Sequence, residues 1–323
     1  MQGVVSRFFE RKWNSLFVKP YKKLFSPLVR RRICASEKFI PQAIVTMNGG
    51  LGSQMWQYAL GRGIRVISGL PVCYDLSWYE KSGMDINRRF SRAYRLESVF
   101  PNVAIQRASR DEIRRYRLYF DRYPGARFDF CEEILSSKNA RYMSGSYVNA
   151  KYVDFQGGTL RDEFLFKLDL SGENARILAS IQSAPLPVAV HVRRGDFVGS
   201  GHDVTTIEYF RNAIDLVTRK FSPEKPMFFV FSNDMGWVRE NFHALDGDFF
   251  YADANGNDDG ACDMYLMSEC AHFIISNSSF GWWSAWLSRR SGDKLVVMPD
   301  RWTRREKERL TMMAKGWQAL PAE

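Results

Sequence analysis

The sequence predicts an α/β chain built as two doubly wound halves, and three observations predict it. From residue 43 onward, short apolar runs alternate with segments of helical period. The alternation opens as strand, glycine turn, helix, strand, and restarts after the punctuation of Pro185 and Pro187. The length of 323 residues is about twice the roughly 150 expected of one domain. With 45% apolar and 25% charged residues, the chain has enough apolar surface to bury a core, which excludes wholesale disorder.

An arm comes first, over residues 1–40. Residues 1–32 carry nine Lys and Arg against Glu10, a net +8 of the chain's +10. The basic balance is therefore that of an arm, and the body is not expected to bind nucleic acid specifically. Phe9, Trp13, Leu16, Phe17, Leu24 and Leu28 fall near helical spacing, which suits an anionic membrane surface. Pro20 and Pro27 are expected to break a single long helix there. The alternatives are a solvated tail or a helix packed on its own domain. No run reaches the ~18 apolar residues of a membrane span, and no secretory signal is visible. Five scattered cysteines favour a reducing compartment. The expected location is cytoplasmic, peripheral at the membrane's cytoplasmic face.

The first half is expected over residues 41–184. Residues 43–47 read as a strand, 53–68 as a helix, 71–75 as a strand and 173–182 as a helix. Residues 80–130, rich in Arg and Tyr, carry no clear period. The second half is expected over residues 185–323. Strands are expected at 188–192, 227–232, 248–251, 272–275 and 294–298, and helices at 207–221, 235–242, 260–270, 280–290 and 303–315. Thr205 and Thr206 are candidate caps for the first of these helices. In such sheets ligands lie beyond the carboxyl ends of the strands, so the informative residues follow the strands.

Four segments stand there. Asn48-Gly49-Gly50-Leu51-Gly52-Ser53-Gln54 puts three glycines before a helix, where backbone amides can approach an anion or a sugar; a tight packing turn is the alternative. His191-Val192-Arg193-Arg194-Gly195-Asp196 puts His191 and Arg193 on one face of a strand end and Arg194 on the other. Two arginines can clamp a diphosphate, or Arg and Asp can form a structural pair. Ser232-Asn233-Asp234 matches a guanine edge or ribose hydroxyls, or else a helix cap. Ser276-Asn277-Ser278-Ser279 places hydroxyls at a helix start that can seat a phosphate, ahead of Trp282, Trp283 and Trp286. The lone D-x-D, Asp246-Gly247-Asp248, reads as a turn, and no metal site is expected.

Together, in this order, these segments resemble the α-1,2-fucosyltransferases of glycosyltransferase family 11. The family's G-G-L-G-N-Q opening is matched from Gly49 to Ala59, its H-x-R-R-G-D-Y motif from His191 to Phe197, its S-x-D from Ser232 to Asp234, and its S-N-S-[ST]-F-[SG]-W-W from Ser276 to Trp283. Gly145 to Tyr152 resembles a further stretch. Ser53 stands where the family often has Asn, and Phe197 replaces Tyr. The resemblance implies a GT-B architecture, two Rossmann-like domains facing across a cleft. It implies inverting, metal-independent transfer of fucose from GDP-β-L-fucose to O2 of a terminal galactose in a surface polysaccharide, with no cofactor. Arg193 is the first candidate for the leaving phosphate, and Asp196, His191 and His202 for the general base. Gly49, Gly50, Gly52, Arg194, Asn233, Asp234, Asn277, Ser278 and Ser279 are expected to bind the donor, and Gln54, Tyr147 and Lys151 the acceptor. Competing readings are a fucosyltransferase of another linkage and a non-catalytic GDP- or glycan-binding protein.

Overall fold

The computed structural model describes residues 19–36, 39–81, 83–84, 88, 90–124, 129–255, 260–290, 292–304 and 311–323. The first 18 residues of the arm and residues 305–310 of the expected closing helix lie outside the described residues.

Two parallel sheets organise the chain. β1 (Ala43–Thr46), β2 (Val72–Asp75), β3 (Asp121–Pro124) and β4 (Arg141–Ser144) form one sheet in the order β2-β1-β4-β3. β5 (Pro187–Val192), β6 (Met227–Ser232), β7 (Asp248–Tyr251), β8 (His272–Ile275), β9 (Val296–Pro299) and β10 (Gln318–Leu320) form the other, in the order β10-β9-β8-β5-β6-β7. Every residue of β1 and β5 is buried, as strands covered on both faces must be. Between the strands run the expected helices, among them Leu51–Ser68, Gly172–Ser183, Ile207–Phe221, Met235–Phe242, Gly260–Ser268 and Ser279–Leu287. Thr206 caps Ile207–Phe221, its hydroxyl accepting from the Tyr209 amide at 3.4 Å.

β3, β4 and β10 give no readable apolar run. β3 is polar at the sheet edge and β10 has three residues. β4 buries Arg141 through hydrogen bonds from its guanidinium to the carbonyls of Ile134, Ser137 and Asn139. In the harder stretch, a capping box between Ser109 and Glu112 starts the helix Arg110–Tyr119.

Two expectations fail. The arm helix Lys19–Cys34 continues through Pro27, with Pro20 in its first turn, where a missing N–H costs nothing. Its last turn is held by packing: Ile33 joins Ile113, Tyr116 and Phe120 in a small core, and Phe39 stacks on Phe120 at 5.4 Å. The described ends of the closing segment are not helical either. Residues 311–312 and 315–316 form turns, and the Ala150 amide donates to the Thr311 carbonyl. Trp302, Met312 and Ala314, at those described ends, are buried in the core.

The two sheets share that core. One continuous cluster runs from Val45 and Trp56 in the first half to Phe273 and Trp283 in the second, and a second cluster covers the far face of the larger sheet. The helix Gly172–Ser183 docks toward the second half. Asn174 exchanges side-chain amide hydrogen bonds with Asn255 at 2.8 and 2.9 Å.

Candidate active site

The glycine turn is built from inside. Gly49 takes a φ of +75°, which favours glycine. Gln57 is fully buried and grips Asn48 twice, accepting from its amide at 2.9 Å and donating to its Oδ1 at 3.0 Å. Gln54, also fully buried, donates to the carbonyls of Gly49 and Ala93 and accepts from the amides of Arg95 and Leu96. Its hydrogen-bonding capacity is spent within the protein, so the structure does not bring Gln54 to the cleft as an acceptor contact. Gly50 is open, whereas a Cβ on Gly52 would lie 2.9 Å from the backbone of Ser279. Gly52 is therefore a packing glycine, and Gly49 and Gly50 face the space where a ligand would lie.

At the end of β5, Ser276 fixes the chain. Its hydroxyl accepts from the Arg193 amide at 2.9 Å and donates to the His191 carbonyl at 2.8 Å. Arg193 then pairs with Asp196, NH2 to Oδ1 at 2.6 Å, with its guanidinium over the Phe197 ring. The other carboxylate oxygen of Asp196 pairs with Arg92 at 3.5 Å. Both oxygens of this buried carboxylate thus organise arginines. His191 is 4% exposed, and its Nδ1 finds no hydrogen-bond partner among the described residues. Burial, together with the charge of Arg193, lowers its pKa to about 3, so the imidazole stays neutral. Such a ring is a weak proton acceptor and suits a packing or orienting place.

Alternation separates the two arginines of the motif. Arg194 turns away from the cleft, onto the Trp237 ring at 4.2 Å and toward Asp234 at 3.8 Å. Asp234 caps the helix Met235–Phe242, accepting from the Trp237 amide at 3.2 Å. The cap reading thus describes Asp234, and neither it nor Arg194 is brought to the donor side. Asn233 stays in the cleft, with its Oδ1 accepting from the Arg194 amide. Gly195 must be glycine, because a Cβ there would run into the Asn233 amide.

The end of β8 completes this wall. Buried Asn277 donates to the carbonyls of His202 and Trp302, both at 2.8 Å, and so holds two loops over the cleft. Ser278 caps the helix Ser279–Leu287, accepting from the Phe280 amide. Ser278 and Ser279 line the cleft at the positive end of that helix.

The cleft itself is a cavity of about 1500 Å³ lined from both halves. It gathers Gly49, Gly50, Gly52, His191, Arg193, Asp196, Asn233, Asn277, Ser278 and Ser279. Tyr147 is buried and Lys151 sits exposed over the Phe130 ring, and neither lines it. The cleft also holds residues that sequence reasoning missed. Trp78 comes from the short helix Ser77–Lys81, Arg92 and Arg95 from the stretch with no period, and Arg304 from the expected closing helix. Asp253, Asn255 and Asp263 follow β7, where a strand-end search carried past Tyr251 would have met them. Asn255 donates to Asp263 at 2.8 Å.

Two parallel α/β halves face each other across this cleft, which is the GT-B architecture. The chain belongs to glycosyltransferase family 11, whose model, described as Glycosyl transferase family 11, matches residues 137–320. It is 27% identical to an alpha-1,2-colitosyltransferase of Escherichia coli, over 81% of this chain and 93% of that protein. It is 26% identical to the O-antigen biosynthesis glycosyltransferase WbnK of Escherichia coli, over 82% and 97% respectively. A shorter match, 39% identical, covers 31% of this chain and 30% of the bovine (Bos taurus) galactoside alpha-(1,2)-fucosyltransferase 2.

Proposed function

We propose that this glycosyltransferase moves L-fucose from GDP-β-L-fucose to O2 of a terminal galactose in a glycan, with inversion and without a metal. One observation carries the reading: the guanidinium of Arg193, fixed by Asp196, lines the same cleft as Ser278 and Ser279 at a helix N-terminus. These groups suit the negative charge that grows on a departing diphosphate. The open glycine turn across the cleft leaves room for the donor. At the other end, the carboxylate of Asp263 suits the N–H donors of a guanine edge.

The acceptor hydroxyl attacks the anomeric carbon on the face opposite the diphosphate. The new C–O bond forms as the bond to the phosphate oxygen breaks, and the hydroxyl proton leaves to a base. Asp196 is committed to two arginines and His191 is held neutral by burial. His202, half-buried on the following loop with its ring 5.0 Å from that of Phe197, is the imidazole best placed for this step. Trp78 offers a half-buried ring on the first half's side for an acceptor sugar. The relative named for colitosyl transfer favours a second reading, with the same α-1,2 linkage and colitose as the transferred sugar.

An arm that touches an anionic membrane, placing the enzyme at the cytoplasmic face, belongs to the same proposal. No described helix is long and apolar enough to cross a membrane.

The test is GDP release from GDP-fucose, with and without a β-galactoside and with EDTA present. Acceptor-dependent release that survives EDTA is expected. Tight GDP binding without release from any galactoside would favour a binding protein or another acceptor. Absence of GDP binding would overturn the reading.

A further inference from the structure

Arg92 has no place in any of the sequence motifs, yet it reaches the buried carboxylate at the centre of the site. Its NH2 lies 3.5 Å from Asp196 Oδ2, while Arg193 NH2 lies 2.6 Å from Oδ1. Asp196 is 4% exposed, and the two arginine side chains are 17% and 19% exposed. Both guanidinium cations lie within ion-pair reach of this one buried carboxylate, so the charge of a cation at one oxygen biases the rotation of the whole group. The guanidinium on the other oxygen then has its direction set as well. The two cations come from opposite sides of the cleft, Arg92 from the first half and Arg193 from the end of β5.

Arg92 is itself held. Its amide donates to the Gly83 carbonyl, and the residues that follow are stapled by Gln54. That buried side chain binds the Ala93 carbonyl at 2.9 Å and the amides of Arg95 and Leu96 at 3.0 and 3.1 Å. Gln54 belongs to the glycine turn, so the turn, Arg92, Asp196 and Arg193 form one connected series.

We propose that Arg92 is a positioning residue for the donor diphosphate, acting across the cleft through Asp196 on Arg193, and that Gln54 holds Arg92 in place. The proposal rests on the donor reading above and adds to it a residue from the opposite half. It gives Asp196 the work of an anchor shared by both halves.

A double-mutant cycle on the full chain tests it, read as GDP affinity by calorimetry and as turnover of GDP-fucose. Arg92→Ala is expected to weaken GDP binding roughly 10-fold, and Arg92→Lys to recover most of that loss. In an Asp196→Asn background, Arg92→Ala should add almost nothing, because the group it acts through is gone. Gln54→Ala should reproduce the Arg92→Ala loss and add little to it. Melting curves identify any variant that fails to fold, and if Gln54→Ala is one, the Arg92 and Asp196 pair decides alone. Losses that add in full across that pair would overturn the proposal while leaving the donor reading intact. A wild-type chain that binds no GDP would overturn both.

Discussion

Trp283 Nε1 donates to the carbonyl of Gly52 at 3.0 Å, a bond between the two halves at the back of the cleft. Around it, Trp56 packs on Trp282 and Trp283 at ring separations of 4.4 and 4.9 Å. Two elements that a sequence reading treats as separate ligand contacts, the glycine turn and the tryptophan helix, are thus also the joint between the sheets. The joint sets where the helix N-terminus at Ser279 stands relative to Gly49 and Gly50. A ligand spanning the cleft meets both walls at a separation fixed by buried packing.

The glycines of the turn should therefore separate by substitution. A Cβ on Gly52 would lie 2.9–3.0 Å from the backbone of Ser279 and Phe280, which cannot swing aside as a side chain can. Gly52→Ala is expected to cost about 1–3 kcal/mol of stability and to weaken GDP binding as the walls part. Gly50 has φ of −79° and open space at its Cβ, so Gly50→Ala should leave the melting temperature nearly unchanged. Thermal melts and GDP titrations of the pair check this, and equal destabilisation by both would contradict it.

The sequence made most of the fold legible, because β1, β5, β6 and β8 are apolar runs and their helices begin at capping or glycine positions. β4 stayed hidden since Arg141 is buried there through hydrogen bonds to backbone carbonyls, and β3 since its sequence, Asp121-Arg122-Tyr123-Pro124, contains no apolar run. At the site, the strand-end rule found Arg193, Asp196, Asn233, Asn277 and Ser278, all of which line the cleft. It could not tell a ligand group from a cap or a staple. Asp234 satisfies a helix end, and Gln54 is consumed by four backbone groups. Arg92 escaped because tertiary packing alone brings its stretch, which has no period, to the cleft, and Trp78 because it sits on a five-residue helix too short to show one. The arm helix runs through Pro27 for the related reason that packing on Ile113 and Phe120 outweighs a local propensity.

His191 predicts an acid limb in stability. Its folded pKa of about 3 lies below the ordinary value of 6.5, so between these values the unfolded chain binds the extra proton. Stability is then fully present above about pH 6.5 and falls as the pH drops toward 3, by up to about 1.4 kcal/mol per pH unit. His272, also lowered by burial, adds to the same limb. His191→Gln should flatten the fall of the melting temperature between pH 6.5 and 4 relative to wild type. An unchanged slope would show that His191 is not held neutral.

The arm should bind anionic vesicles through the exposed face of its helix. Leu28, Arg31, Arg32 and Ala35 are exposed at helical spacing, while Ile33 is turned into the body. Phosphatidylserine vesicles are expected to sediment the full chain at low salt and to release it as salt rises, since each basic residue near such a surface is worth about 1 kcal/mol. Arg31→Glu with Arg32→Glu should weaken sedimentation without changing GDP affinity. Equal binding to neutral vesicles would remove the electrostatic reading.

Arg193 and Arg194 are neighbours in sequence and opposites in place, and their variants should differ accordingly. Arg193 lines the cleft with its guanidinium fixed on Asp196, where a fork of donors meets the departing phosphate. Arg193→Ala is expected to lower turnover roughly 100- to 1000-fold, the effect of removing one preorganised donor from a charged transition state. Arg193→Lys keeps the charge but loses the fork, and should recover only part of this. Arg194 lies on the Trp237 ring beside Asp234, outside the cleft. Arg194→Ala should therefore act on stability, by about 1 kcal/mol for the lost stacking, with turnover of the folded enzyme reduced less than roughly 10-fold. Steady-state kinetics on both variants, with melts to confirm folding, check the difference. Near-normal turnover in Arg193→Ala would remove the arginine from the leaving-group role and with it the present account of the charge.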